Sequence, residues 1–143
     1  MLFSKICIAS DHAGYKLKEL IKDYLIKKGI PIIDLGPLSL NSVDYPDFAK
    51  KVAKRVLLKK SDGGILVCGS GTGMAMTANK FKGIRAAQCY SKKGTILSRQ
   101  HNNANIICLG SRMLKKNDAL SYVNFFFKTK FQGGRHKKRI NKI

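Results

Sequence analysis

Short apolar runs rich in β-branched residues alternate with longer amphipathic stretches along this chain, and that alternation limits the fold more than any other feature. The runs lie at 6–9, 31–35, 64–67, 84–89 and 106–109. Around them, 15–28, 47–60, 73–81, 92–101 and 117–128 carry apolar residues at helical spacing, as in Leu17, Leu20, Ile21, Tyr24 and Leu25. Strands that are apolar throughout must be covered on both faces, and the stretches between them are long enough for crossover helices. The expected fold is α/β, a doubly wound three-layer sandwich with a five-stranded parallel sheet and five helices, Rossmann-like in its layering. Residues 1–143 are expected to form one domain, with 131–143 as a basic C-terminal tail.

The breaks agree with this division. Gly29 can end the first helix, Asp47 after Pro46 can help start the second, and Ser61-Asp62-Gly63-Gly64 is a turn signal. In an open parallel sheet, ligands collect beyond the carboxyl ends of the strands. That rule directs attention to 10–14, 36–46, 68–73, 90–92 and 110–112.

Lysine and arginine total 28 against 8 aspartate and glutamate, a formal charge of +20 that attracts any polyanion. Most of the excess is lysine scattered over helical segments (Lys16, Lys18, Lys22, Lys27, Lys28, Lys50, Lys51, Lys54, Lys59, Lys60), the pattern of solvated faces. Weak nonspecific affinity for nucleic acid is the competing reading of that surface. The tail GGRHKKRINKI is the exception, because its cations cluster. No apolar run approaches the roughly 18 residues of a membrane span, and the N-terminus reads as a short strand, not as a signal peptide. The expected location is the cytoplasm, with no membrane partner.

The cysteines, Cys7, Cys68, Cys89 and Cys108, show no CxxC pairing and fit neither a zinc site nor a disulfide scaffold. Three fall inside apolar runs, where cysteine acts as a small buried hydrophobe. Cys68 instead ends its run and opens a turn with glycine at 69, 71 and 73. Alone, that turn is as readily a tight bend as an anion site: it lacks the dinucleotide fingerprint spacing and the ending of a P-loop. With a thiol leading in and Ser70 two residues on, the backbone N–H groups of Gly69, Gly71 and Gly73 become a donor nest beside a nucleophile. Such a nest stabilises an enediolate as it forms, and a cysteine at a helix N-terminus suits the base that would create it.

Ser10-Asp11-His12-Ala13-Gly14 delivers an acid and an imidazole to the same sheet edge, although Asp11 also suits helix capping. His101, followed by Asn102 and Asn103, closes the fourth helix, where a histidine also suits capping. Arg135 and Arg139 stand four apart, so a helical tail would put both guanidinium groups on one face, fit for a phosphate. A frayed basic terminus is the alternative.

Taken in order, SDHAG at 10–14, DYPDFA at 44–49, DGGILVCGSGTGMAMTANK at 62–80, GIRAA at 83–87, SRQHNNAN at 98–105, GSR at 110–112 and GGRHKKR at 133–139 resemble the ribose-5-phosphate isomerase B family, which also includes allose- and galactose-6-phosphate isomerases. The resemblance implies that Cys68 is the proton-shuttling base and that Ser70 handles protons on the substrate oxygens. Met74 stands where some members carry a glutamate, placing the chain in the cysteine subgroup. Asp11 and His101 match ring-opening residues, Tyr45 and Asn102 match residues lining the sugar site, and His12, Arg135 and Arg139 match the phosphate grip. Arg112 matches an arginine that reaches a neighbouring subunit's site. The resemblance further implies a homodimer, sometimes paired into a tetramer, with His101 and Asn102 supplied by the partner chain.

The activity expected from this resemblance is interconversion of ribose 5-phosphate and ribulose 5-phosphate through a cis-enediolate, in the non-oxidative pentose phosphate branch, without metal or organic cofactor. An allose- or galactose-6-phosphate isomerase is the near alternative. A metal-assisted hydride shift ranks low, because the chain's three histidines form no local cluster. A basic nucleic-acid-binding module is the alternative of a different class, and it leaves Cys68, Ser70 and the acid–imidazole pair unexplained.

Overall fold

The computed structural model describes residues 2–143. Five strands, β1 (Ile6–Ser10), β2 (Ile32–Asp34), β3 (Gly63–Cys68), β4 (Ala86–Gln88) and β5 (Ile106–Gly110), form one sheet in the order β2-β1-β3-β5-β4. Every adjacent pair is parallel. The helices are α1 (Tyr15–Lys27), α2 (Tyr45–Leu57), α3 (Thr72–Ala78), α4 (Lys92–Gln100), α5 (Lys116–Lys128) and α6 (Arg135–Ile140). The doubly wound sandwich read from the alternation is the fold observed.

Side-chain alternation along the buried strands sorts the core into two layers. Ile6, Ile8, Ile65, Val67, Ile107 and Leu109 pack with α1 and α5, where Phe126 and Phe127 are fully buried. Cys7, Ala9, Leu66, Cys68, Ile106 and Cys108 pack with α2 and α3. Phe127 lies edge-on to Phe3 and Phe126, with ring centroids 4.9 and 5.1 Å apart. Burying each such side chain contributes about 1.5–3 kcal/mol. Period two thus fixes the layer that Cys68 joins.

Four sequence expectations change. The tail contains a sixth helix, α6, which puts Arg135 and Arg139 on a helix as their spacing allows. Helix α2 begins at Tyr45, because Pro46 fits the first turn and lacks the N–H that a helix start leaves unused; Asp47 lies in that first turn. Gly63 joins β3, so the strand starts one residue before the run at 64–67; a Cβ at Gly64 would stand 2.4 Å from Val52, so glycine lets α2 close on the sheet. Lys18 and Lys22 do not lie on a solvated face. Lys18 is fully buried and Lys22 half-buried, both bonded to Asp34. Gly29 ends α1 as expected, at φ +69°. Among the described residues, no helix is long and apolar enough to cross a membrane.

Candidate active site

The sheet reverses its winding between β1 and β3, since β1 continues to β2 on one side and β3 to β5 on the other. A crevice opens beyond such a switch point, and its lips here are the segments after Ser10 and Cys68. Asp11 N–H donates to the Val67 carbonyl at 3.1 Å. The Asp11 carboxylate accepts from Gly14 N–H at 2.8 Å and so braces the turn before α1, whose own N-cap is Gly14 with no side-chain cap bond. A Cβ on Gly14 would lie 2.3 Å from the Val67 oxygen. Glycine there lets the start of α1 press against the end of β3.

The second lip is the turn from Cys68 to Gly73. Gly71 takes φ +82°, a left-handed conformation natural to glycine, and its N–H donates to Cys68 Sγ at 3.0 Å. Ser70 Oγ accepts from Thr72 N–H at 3.2 Å. The loop after β5 fixes the turn from behind, with Ser111 N–H on the Cys68 carbonyl at 2.8 Å and Arg112 N–H on that of Gly69 at 3.0 Å. Among the described residues, the N–H groups of Ser70 and Gly73 take no partner. They remain available to a ligand oxygen.

Asp11, His12, Tyr45, Cys68, Gly69, Ser70, Gly73 and Arg112 together line a cleft of about 290 Å³. Tyr45 lies over Gly73, where an added Cβ would stand 2.6 Å from the ring. His12 Nδ1 accepts from Val43 N–H at 3.2 Å. A backbone N–H can only donate, so the proton of the neutral imidazole sits on Nε2. Burial pushes the thiols of Cys7, Cys89 and Cys108 up; Cys7 and Cys108 lie inside strands as expected, whereas Cys89 falls just past the end of β4 and is buried there. Cys68 alone of the four lines the cleft.

His101, Asn102 and Arg139 fall elsewhere, in a cleft of about 260 Å³ shared with His136 and Ile140. The His101 and His136 rings stack with centroids 4.1 Å apart and planes 10° off parallel. Burial, together with His101, Arg135 and Arg139, holds the His136 imidazole below the ordinary histidine range. Arg99, buried and lowered to about 10 by desolvation and then by Arg85, braces the end of α4. It donates to Asn103 Oδ1 at 2.9 Å, to the Thr129 carbonyl at 3.3 Å and to the Ala104 carbonyl. Within one chain, then, His12 and Arg139 occupy different clefts, and Arg135 lines neither.

Three residues to which the sequence reading gave no role support these sites. Tyr90 and Gln88, at the end of β4, donate to the Ser70 carbonyl at 3.0 and 2.9 Å, and Gln88 also reaches Thr72 Oγ1 at 2.6 Å. They pin the glycine turn from its open side. His136 is the third, and its only sequence signal is its place between the two tail arginines. Among the described residues, no three His, Cys, Asp or Glu side chains converge as a metal site.

A thiol, a carboxylate, an imidazole and free backbone donors meet at the switch point of an α/β sheet, where such folds bind small ligands. The chain belongs to the Ribose/Galactose Isomerase family, whose model matches residues 6–143. It is 48% identical over 141 residues to a probable ribose-5-phosphate isomerase B of Mycoplasma genitalium, covering 96% of this chain and 92% of that protein. With the ribose-5-phosphate isomerase B of Escherichia coli it shares 41% identity over 139 residues, covering 97% and 93% of the two chains. Its fold matches the crystal structure of a Thermotoga maritima ribose 5-phosphate isomerase with TM-score 0.96 and 50% identity, covering 97% and 96%. A Mycoplasma genitalium ribose-5-phosphate isomerase B crystallised with bound ribulose 5-phosphate matches with TM-score 0.92 and 46% identity, covering 96% and 92%.

Proposed function

We propose that this chain is an aldose–ketose isomerase interconverting ribose 5-phosphate and ribulose 5-phosphate. The observation that carries the reading is the Cys68 sulfur held by Gly71 N–H at one end of a cleft that also presents Asp11, Ser70 and unpartnered backbone N–H groups. The ribulose 5-phosphate bound by a relative 46% identical supplies the substrate class.

In this reading Asp11 and His101 open the furanose ring. Cys68, as thiolate, removes the C2 proton; the electron pair left on C2 forms the C1–C2 double bond as the carbonyl π pair moves to O1, giving the cis-enediolate. Return of a proton to C1, with collapse of the O2 pair to a carbonyl, yields the ketose. Ser70 moves protons between O1 and O2, and the N–H groups of Ser70 and Gly73 hold the charge that grows there. Met74 sits fully buried in the helix behind, so the glycine turn itself offers no carboxylate beside Cys68. Nothing in these steps calls for a redox cofactor.

The phosphate needs cations, and His12, Arg112, Arg135 and Arg139 are divided between surfaces of one chain. A homodimer that sets the His101 cleft of one chain against the Cys68 cleft of its partner assembles the full set, with His101, Asn102 and the tail arginines given across the interface.

The test is turnover of ribose 5-phosphate, allose 6-phosphate and galactose 6-phosphate in deuterium oxide with a metal chelator present. Fastest conversion of the pentose, with deuterium entering C1 of the ketose, is the expected result. Preference for a hexose keeps the chemistry and changes the substrate, whereas conversion with no solvent deuterium and unchanged activity in Cys68→Ala removes Cys68 as base.

A further inference from the structure

Lys18 is the one fully buried charged side chain among the described residues and takes no part in the chemistry just described. Its ammonium donates to both oxygens of Asp34 at 2.8 Å and to the Pro37 carbonyl at 2.7 Å. It also lies 3.1 Å from Glu19. Asp34 accepts in addition from Gly36 N–H at 2.9 Å and from Lys22 at 2.9 Å. The pair therefore grips both sides of the chain's bend at 36–37: Asp34 holds Gly36 by its N–H while Lys18 holds Pro37 by its carbonyl. The Gly36 carbonyl, at φ +94°, accepts from Ser10 N–H at 3.0 Å and ties the same bend to the end of β1.

What leaves this bend is the exposed loop 38–44, and it ends in the catalytic cleft. Tyr15 holds its start through a hydroxyl bond to the Leu38 carbonyl at 3.4 Å. At its far end Val43 N–H meets His12 Nδ1, and Tyr45, two residues on, lies over Gly73. Among the described residues, the middle of the loop is held only by a turn between Asn41 and Ser39. The position of one imidazole and one aromatic ring in the cleft thus depends on a segment anchored at its root by Lys18 and Asp34.

A buried ion pair is a poor device for stability alone, since apolar side chains of similar volume generally do as well. Its use here is directional: a carboxylate and an ammonium fix the bend by hydrogen bonds that hydrocarbon cannot make. We infer that Lys18 and Asp34 are positioning residues, a buried clamp that aims loop 38–44 so that Val43 holds His12 as the Nε2–H tautomer and Tyr45 closes the sugar site. Neither touches substrate. The inference rests on the sugar-phosphate reading for its kinetic consequence, and on geometry alone for its effect on His12.

Two variants test it, Asp34→Asn, which keeps shape and removes charge, and Val43→Pro, which deletes the single N–H at the other end of the loop. Imidazole nitrogen NMR of His12 and steady-state kinetics with ribose 5-phosphate are measured on each, beside thermal unfolding. Both variants are expected to turn the His12 signals from the Nε2–H pattern to a tautomer mixture. Both are expected to raise KM about tenfold, the scale of one charge-assisted hydrogen bond to an anion, while kcat changes less than about threefold. Asp34→Glu should recover part of the wild-type KM. Unchanged His12 signals and KM in folded Asp34→Asn would overturn the clamp, as would an equal fall in kcat and stability without a tautomer change. If the wild-type protein turns over no pentose phosphate, the functional reading falls while the His12 signals still decide the clamp.

Discussion

The Cys68 cleft and the His101 cleft are built from different material. The first is made of strand ends and tight turns that lock one another: the β5 loop bonds to Cys68 and Gly69, Gly14 backs onto Val67, and Gln88 and Tyr90 hold Ser70. The second rests on the last turn of α4 and the six-residue α6, joined by a Gln132 N–H to Gln100 carbonyl bond at 3.0 Å and by the stacked histidines. One cleft is built of interlocked turns and holds the Cys68 thiol, the proposed base; the other is peripheral and holds Arg139. Proton abstraction tolerates little misplacement, whereas a dianionic phosphate can be gripped by mobile arms. The division fits the proposed homodimer, in which the peripheral cleft of one chain would complete the Cys68 cleft of the other.

The largest effect should come from separating the two clefts genetically. Cys68→Ala is expected to lower kcat by about a thousandfold, within the range for losing a general base, and His101→Ala to impair ring opening less severely. Each variant is weak alone. Mixed after dissociation and reassembly, they should recover about one quarter of wild-type activity, because half the random dimers carry one intact site of two. No recovery on mixing, with dimers shown to exchange, would mean that each chain completes its own site.

A smaller effect distinguishes the tail arginines. Arg139 lines the His101 cleft and Arg135 does not. Arg139→Ala should therefore raise KM for ribose 5-phosphate by about tenfold, the scale of a lost charge-assisted contact, with Arg135→Ala nearer wild type. Equal effects would show that assembly brings Arg135 to the phosphate as well. In the Cys68 cleft, Gly73→Ala drives a methyl group into Tyr45 and should destabilise the protein by about 1–3 kcal/mol on thermal unfolding, as overpacking does.

These contrasts also show which parts of the molecule sequence could disclose. The sheet was legible because short, continuously apolar runs alternate with amphipathic stretches, and Cys68 was legible because it ends such a run beside glycines whose spacing forces a turn. Asp11, His12, Tyr45 and Arg112 reach the same cleft because each stands just beyond a strand end or at the start of a helix. The distribution of the remaining residues over two clefts is tertiary: nothing local to Arg139 tells which surface α6 will lie against, and six residues are too few to signal a stable helix alone. Lys18 looked like a solvated lysine because its partner, Asp34, stands 16 residues away on another element. Gln88 and Tyr90 act by supporting a backbone carbonyl, a role that leaves no motif.

The smallest predicted effect is on pH. Because the folded environment lowers the His136 pKa, the unfolded chain binds its proton more readily. The contribution of the neutral stacked ring is therefore fully present above the unfolded value near 6.5 and declines as pH falls through that value towards the lower folded one. Protonation also sets a cation beside Arg135 and Arg139, loosening the peripheral cleft and leaving the Cys68 cleft untouched. His136→Phe keeps an aromatic face for His101 and removes the titration. Melting temperature and KM followed from pH 8 down to pH 5 should show both clefts stable in the variant, while the wild type loses phosphate affinity first. A wild-type profile identical to that of His136→Phe would mean that the stack holds the tail by its apolar faces and not by its charge state.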